Sequence, residues 1–99
     1  MSEGRGHDRV ARRIHVKGKV QGVFFRAWTI EQAKELGLDG WVRNRHDGSV
    51  EAVASGPADK VEELIARCHR GSPPSRVDTV MVEDTPGVVA QGFVQKPTV

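Results

Sequence analysis

The chain has 99 residues, 37% of them apolar and 28% charged, with a formal net charge of +2. That is room for a single domain around one core, with no apolar run long enough to span a bilayer or to act as a secretory signal. The one cysteine, Cys68, excludes an internal disulfide and fits a reducing compartment, so a cytoplasmic location and no membrane partner are expected.

Residues 1–10 are rich in glycine and charge and lack apolar periodicity, which predicts a flexible N-terminal tail, with no specific role for His7, ahead of a domain over residues 11–99. Much of the basic excess is Arg5, Arg9, Arg12 and Arg13; it suits small anions and is too weak and dispersed to argue for nucleic acid. Ile14, Val16 and Val20 alternate with Arg13, His15, Lys17 and Lys19, the period of a half-buried strand over residues 12–19.

The stretch Val20-Gln21-Gly22-Val23-Phe24-Phe25-Arg26 follows, and beyond it the period turns helical. A strand-to-helix turn leaves backbone N–H groups at the helix start without partners, and such a space attracts anions. Gly22 gives the loop access to φ > 0 with no Cβ in the way. Arg26 adds a guanidinium that stays charged and can grip two phosphate oxygens. Neither a Walker loop nor a dinucleotide fingerprint is present. From these residues alone a phosphate cradle and an ordinary turn both remain open.

A first helix is expected over residues 26–36, with Ala27, Ile30, Ala33 and Leu36 as its apolar stripe, Trp28 as a packing residue and Gly37 as its stop. Residues 38–45 and 48–55 read as two strands joined by an Asp47-Gly48 turn that brings Asn44 close to the bend. In a second helix Val61, Leu64, Ile65 and Cys68 fall at i, i+3, i+4 and i+7, with Pro57 in its first turn and Gly71 at its end. Cys68 is core filler on that stripe. A fourth strand over residues 77–83 carries Val80 and Val82 on one face, and Gly92-Phe93-Val94 adds a short edge strand in which Phe93 covers part of the core.

The order strand, helix, strand, strand, helix, strand predicts an α+β fold of the ferredoxin-like split βαβ kind (β-α-β-β-α-β), an antiparallel sheet with two helices on one face.

Two stretches carry a resemblance. Gly18-Lys19-Val20-Gln21-Gly22-Val23-Phe24-Phe25-Arg26 is similar to the first signature of the acylphosphatase family, Gly-x-Val-Gln-Gly-Val-x-Phe-Arg. Gly40-Trp41-Val42-Arg43-Asn44, followed by Gly48, Val50 and Gly56, resembles its second, at the expected distance downstream. The likeness runs over about residues 12–95 and implies the same fold. After the second helix the chain departs from the family's Gly-Pro-Pro-x-Ala-x-Val, with Gly71-Ser72-Pro73-Pro74-Ser75-Arg76-Val77 in its place. The boundaries of the last strand rest on the residues alone.

The resemblance implies a hydrolase that splits acyl phosphates into carboxylate and inorganic phosphate. Gln21, Gly22, Val23, Phe24, Phe25 and Arg26 would form the substrate phosphate-binding loop. Arg26 would be the catalytic arginine and Asn44 the residue orienting the attacking water. An acyl phosphate is already activated, so positioning and charge stabilisation suffice and no cofactor or metal is expected. His15 and His69 stand at no ligand spacing with Cys68 or each other. Without the family motif, Asn44 reads equally as a turn residue tolerant of the left-handed region. Arg43, Arg45 and His46 read as a solvated rim.

The alternative is a non-catalytic ferredoxin-like module binding a phosphate ligand or RNA, against which stands the lack of an RNP1-like aromatic run. Hydrogenase maturation factors carry a similar motif at the start of much longer chains, whereas a free-standing, monomeric enzyme acting on a small molecule is expected here.

Overall fold

The computed structural model describes residues 8–86 and 90–99. Its elements are β1 (Arg9–Lys19), α1 (Phe25–Glu35), β2 (Asp39–Asn44), β3 (Val50–Pro57), α2 (Ala58–Arg70), β4 (Arg76–Asp84) and β5 (Phe93–Gln95). Residues 1–7, the larger part of the expected tail and its His7, lie outside the described residues. The strand begins sooner than expected, since Arg9 and Val10 already pair with Pro57 and Gly56.

The sheet order is β4-β1-β3-β2-β5. β1 pairs antiparallel with β3 and β4, and β2 with β3, as the split βαβ reading requires. β5 is the difference: it pairs parallel to β2, Gly40 opposite Phe93, so the five-stranded sheet is mixed. Gly40 lets β2 pass close to both neighbours, because a Cβ there would lie 1.8 Å from the Val53 carbonyl oxygen of β3 and 3.0 Å from the Phe93 ring of β5.

Alternation sends Ile14 and Val16 of β1, Val42 of β2 and Val50, Ala52 and Ala54 of β3 to the helix-covered face, where all are buried. Val61, Leu64 and Cys68 of α2 meet them as the stripe predicted, with Ile65 packed alongside. Pro57 is the last residue of β3 and the N-cap of α2, one position ahead of the expected first turn. The stripe of α1 differs. Phe25, Thr29 and Ala33 are buried while Ala27 is exposed, and Ile30 and Leu36 pack only partly against the core. Thr29 can sit in this stripe because its hydroxyl donates to the Phe25 carbonyl at 2.8 Å. Trp28 packs on the Phe25 ring, centroids 5.3 Å apart.

Gly37, at φ 71°, ends α1 as expected, donating to the Lys34 carbonyl at 3.0 Å. On β4, Val80 packs against the core but Val82 is 41% exposed, since an edge strand is covered only along part of its length. Phe93 is buried as expected. Beyond β5 the chain continues along β2, with Lys96 N–H donating to the Val42 carbonyl and Val99 N–H to that of Asn44.

Candidate active site

The loop between β1 and α1 is shaped by two left-handed residues, Gly22 at φ 72° and Phe24 at φ 61°, ψ 22°. A Cβ on Gly22 would meet nothing within 4 Å, so the loop opens onto free space there. Phe25 turns inward and is 1% exposed, which fastens the loop to the core. Burying a side chain of that kind stabilises by about 1.5–3 kcal/mol.

α1 begins without a side-chain cap and with no acidic residue in its first turn. Its first backbone bond is from Trp28 N–H to the Phe24 carbonyl, 3.0 Å, so the amides of Phe24, Phe25, Arg26 and Ala27 have no backbone acceptor among the described residues. The positive end of the helix is therefore left unneutralised.

A pocket of about 250 Å³ opens here, lined by Val20, Gly22, Phe24, Phe25, Arg26, Ala27 and Asn44. Arg26 is half-buried, makes no ion pair among the described residues, and is the pocket's one charged lining residue. Asn44, the last residue of β2, reaches the same pocket from the neighbouring strand end. Its Oδ1 is buried and has no hydrogen-bond partner among the described residues. A slightly larger hollow, about 280 Å³ between Lys17–Gly18 and Asp47–Ser49, is a poorer anion site. It presents the Asp47 carboxyl, which hydrogen bonds from the Ser49 hydroxyl and backbone hold below its usual range.

Of the residues expected in the cradle, Gly22, Phe24, Phe25, Arg26 and Asn44 thus come together, and Val23 packs instead against the core. Gln21 belongs to the loop through its backbone, but its side chain is not among the residues lining the pocket. Its side chain turns away from the pocket and donates to the carbonyls of Arg45, 2.7 Å, and Ser49, 2.8 Å, tying the loop to the neck of the β2–β3 hairpin. Ala27 was not foreseen as lining, although a helix starting at Phe25 places its amide in the first turn.

Arg43 and Arg45 are not a solvated rim either. On the sheet face away from the helices, both donate to Glu51, at 2.8 and 2.9 Å, together with Arg13. The Glu51 side chain is 3% exposed. Burial works to raise its pKa, but the three arginine hydrogen bonds outweigh that and hold it at about 2. This cluster fixes the residues on either side of Asn44. His46 stays exposed. Among the described residues no group of three or more His, Cys, Asp and Glu could hold a metal ion, and no helix is long and apolar enough to cross a membrane.

The model of the acylphosphatase family matches residues 12–95. The chain belongs to the acylphosphatase family. It is 81% identical over 99 residues to a curated acylphosphatase of Rhizorhabdus wittichii, covering the whole of both chains. The acylphosphatase structure from Coxiella burnetii superposes with a TM-score of 0.85 at 36% identity, covering 89% of this chain and 93% of that one. A full-length HypF structure, 26% identical with a TM-score of 0.81, matches 92% of this chain with 12% of its own length. The reaction that goes with acylphosphatase membership is hydrolysis of a carboxyl–phosphate anhydride to carboxylate and inorganic phosphate.

Proposed function

We propose that the pocket between the α1 start and the end of β2 performs this hydrolysis by water attack at phosphorus. The observation that carries the reading is the meeting in one small pocket of three groups that find no protein partner among the described residues: the uncapped amides of α1, the Arg26 guanidinium and the Asn44 side-chain oxygen. The phosphoryl oxygens lie against the amides of Phe24 to Ala27 and the Arg26 guanidinium, which stabilise the charge that spreads over them in the transition state. Asn44 accepts a hydrogen bond from the attacking water and aligns it opposite the leaving carboxylate. As the water oxygen bonds to phosphorus, the P–O bond to the acyl group breaks. The carboxylate leaves with the electron pair, and the water proton passes to a phosphate oxygen.

Gln21 contributes to the loop by holding its shape. The amides and Arg26 supply the positive field, so the reaction runs without a metal or cofactor. The partner is a small acyl phosphate acted on by a cytoplasmic monomer that needs no nucleic acid, in keeping with the modest net charge of +2 and the single cysteine.

Hydrolysis of benzoyl phosphate in ¹⁸O-water with chelator present tests the route. Attack at phosphorus puts the label in inorganic phosphate; label in benzoate would mean attack at the acyl carbon and overturn the mechanism. Activity abolished by chelator would overturn metal independence.

A further inference from the structure

Phe24 is 82% exposed, the most exposed of the large apolar side chains, and it is also the one non-glycine residue with positive φ among the described residues. A bulky side chain is disfavoured in the left-handed region, where glycine or asparagine would hold the same turn with less strain. Strain of this kind is usually offset by packing, but this ring packs on nothing that removes it from water. Its neighbour Phe25 does the structural work, buried at 1% exposure. Two adjacent phenylalanines are thus divided, one anchoring the loop and one left at the mouth of the pocket.

The pocket gives the outer ring a use. Phe24 lines it together with Gly22, Arg26 and Asn44. The other apolar side chains of the lining are either buried, as are Val20 and Phe25, or small, as is Ala27. Phe24 is therefore the one large apolar surface that a bound molecule can meet there. An acyl phosphate has a charged half and an acyl half. Once the charged half is held by amides and Arg26, the acyl half projects out of the cradle beside its lip.

We propose that Phe24 is a specificity-determining residue that packs against the acyl group, and that the substrates favoured are acyl phosphates with apolar, above all aromatic, acyl groups. This rests on the acyl phosphate reading given above. The Phe24 ring acts by binding the non-reacting part of the substrate, while its backbone amide remains part of the phosphate cradle whatever side chain it carries.

The test compares kcat/KM for benzoyl phosphate and acetyl phosphate in the wild type, Phe24→Asn and Phe24→Leu, with competitive inhibition by inorganic phosphate measured alongside. Asparagine tolerates the left-handed backbone and removes the ring; leucine keeps an apolar surface. Phe24→Asn is expected to lower the benzoyl to acetyl preference roughly two- to tenfold, the worth of one aromatic contact. Phe24→Leu should fall between it and the wild type; any change in phosphate inhibition is common to the two substrates, so the benzoyl to acetyl ratio is the readout. Equal losses on the two substrates, or no loss on either, would overturn the proposal alone. A wild-type protein that hydrolyses neither substrate would overturn the acyl phosphate reading and this proposal with it.

Discussion

The Gln21 side chain ties the proposed phosphate loop to the neighbouring hairpin. Its amide bridges two carbonyls that lie 24 and 28 residues further along the chain, and so sets the phosphate loop against the strand end that carries Asn44. Replacing it with methionine keeps the bulk and removes both donors. Loss of register between loop and Asn44 should lower kcat by about 10- to 100-fold, since displacements of about 1 Å at a reacting centre have effects of that size. Inhibition by inorganic phosphate, which in the proposed mechanism rests on the amides and Arg26, should move less than kcat. Steady-state kinetics of Gln21→Met would check this, and an unchanged kcat would show that the tie is dispensable. The sequence placed Gln21 in the loop through its motif but could not show where the side chain points, because its acceptors are backbone atoms with no residue-type signal. Glu51 was hidden for a related reason: its arginines come from two other strands and the hairpin, and only the register Arg13 opposite Val53, with Glu51 opposite His15 and Arg43, brings them together.

At the scale of elements, legibility followed the purity of the apolar pattern. α2 was readable because Val61, Leu64 and Cys68 form a stripe with no polar member. The thiol of Cys68 is pushed up to about 12 by burial, so it stays protonated at any working pH. Iodoacetamide at pH 8 should leave the native protein unlabelled and modify it once denaturant is added; labelling of the folded protein at a comparable rate would contradict the burial. The face that α1 buries is not legible in the sequence because it contains Thr29, whose hydroxyl is satisfied inside the helix. The parallel pairing of β5 was not readable either, since a three-residue strand has no periodicity and its direction depends on where the preceding segment returns the chain.

For the whole molecule, the sheet divides two tasks between its faces. The helix-covered face holds the apolar core, and the open face holds the Glu51 cluster, which braces β1, β2 and β3 at the level of the site. Because the folded state holds the Glu51 carboxyl at about 2 against an ordinary 4.5, its contribution to stability is fully present above the ordinary value. It is lost as pH falls from there through about 2. Glu51→Gln should lower stability by about 2–3 kcal/mol at pH 7, through weakened charge-assisted hydrogen bonds and arginines left without their counter-ion. The gap to the wild type should close near pH 2. Thermal unfolding of both proteins at the two pH values would show it, and a gap that stayed constant would mean that the carboxylate charge is not what the cluster uses.

In the proposed mechanism one pocket combines Arg26 for the phosphate and Asn44 for the water. The most direct measurement is the rate of benzoate release from benzoyl phosphate by the wild type, Arg26→Ala and Asn44→Ala, with the affinity of each for inorganic phosphate. Both variants should lose about 10²–10³ in kcat, the usual effect of removing a fixed charge-stabilising or positioning group. Only Arg26→Ala should also lose phosphate binding. Activity that survived in either variant, or a loss of phosphate affinity in Asn44→Ala equal to that in Arg26→Ala, would contradict this division of labour.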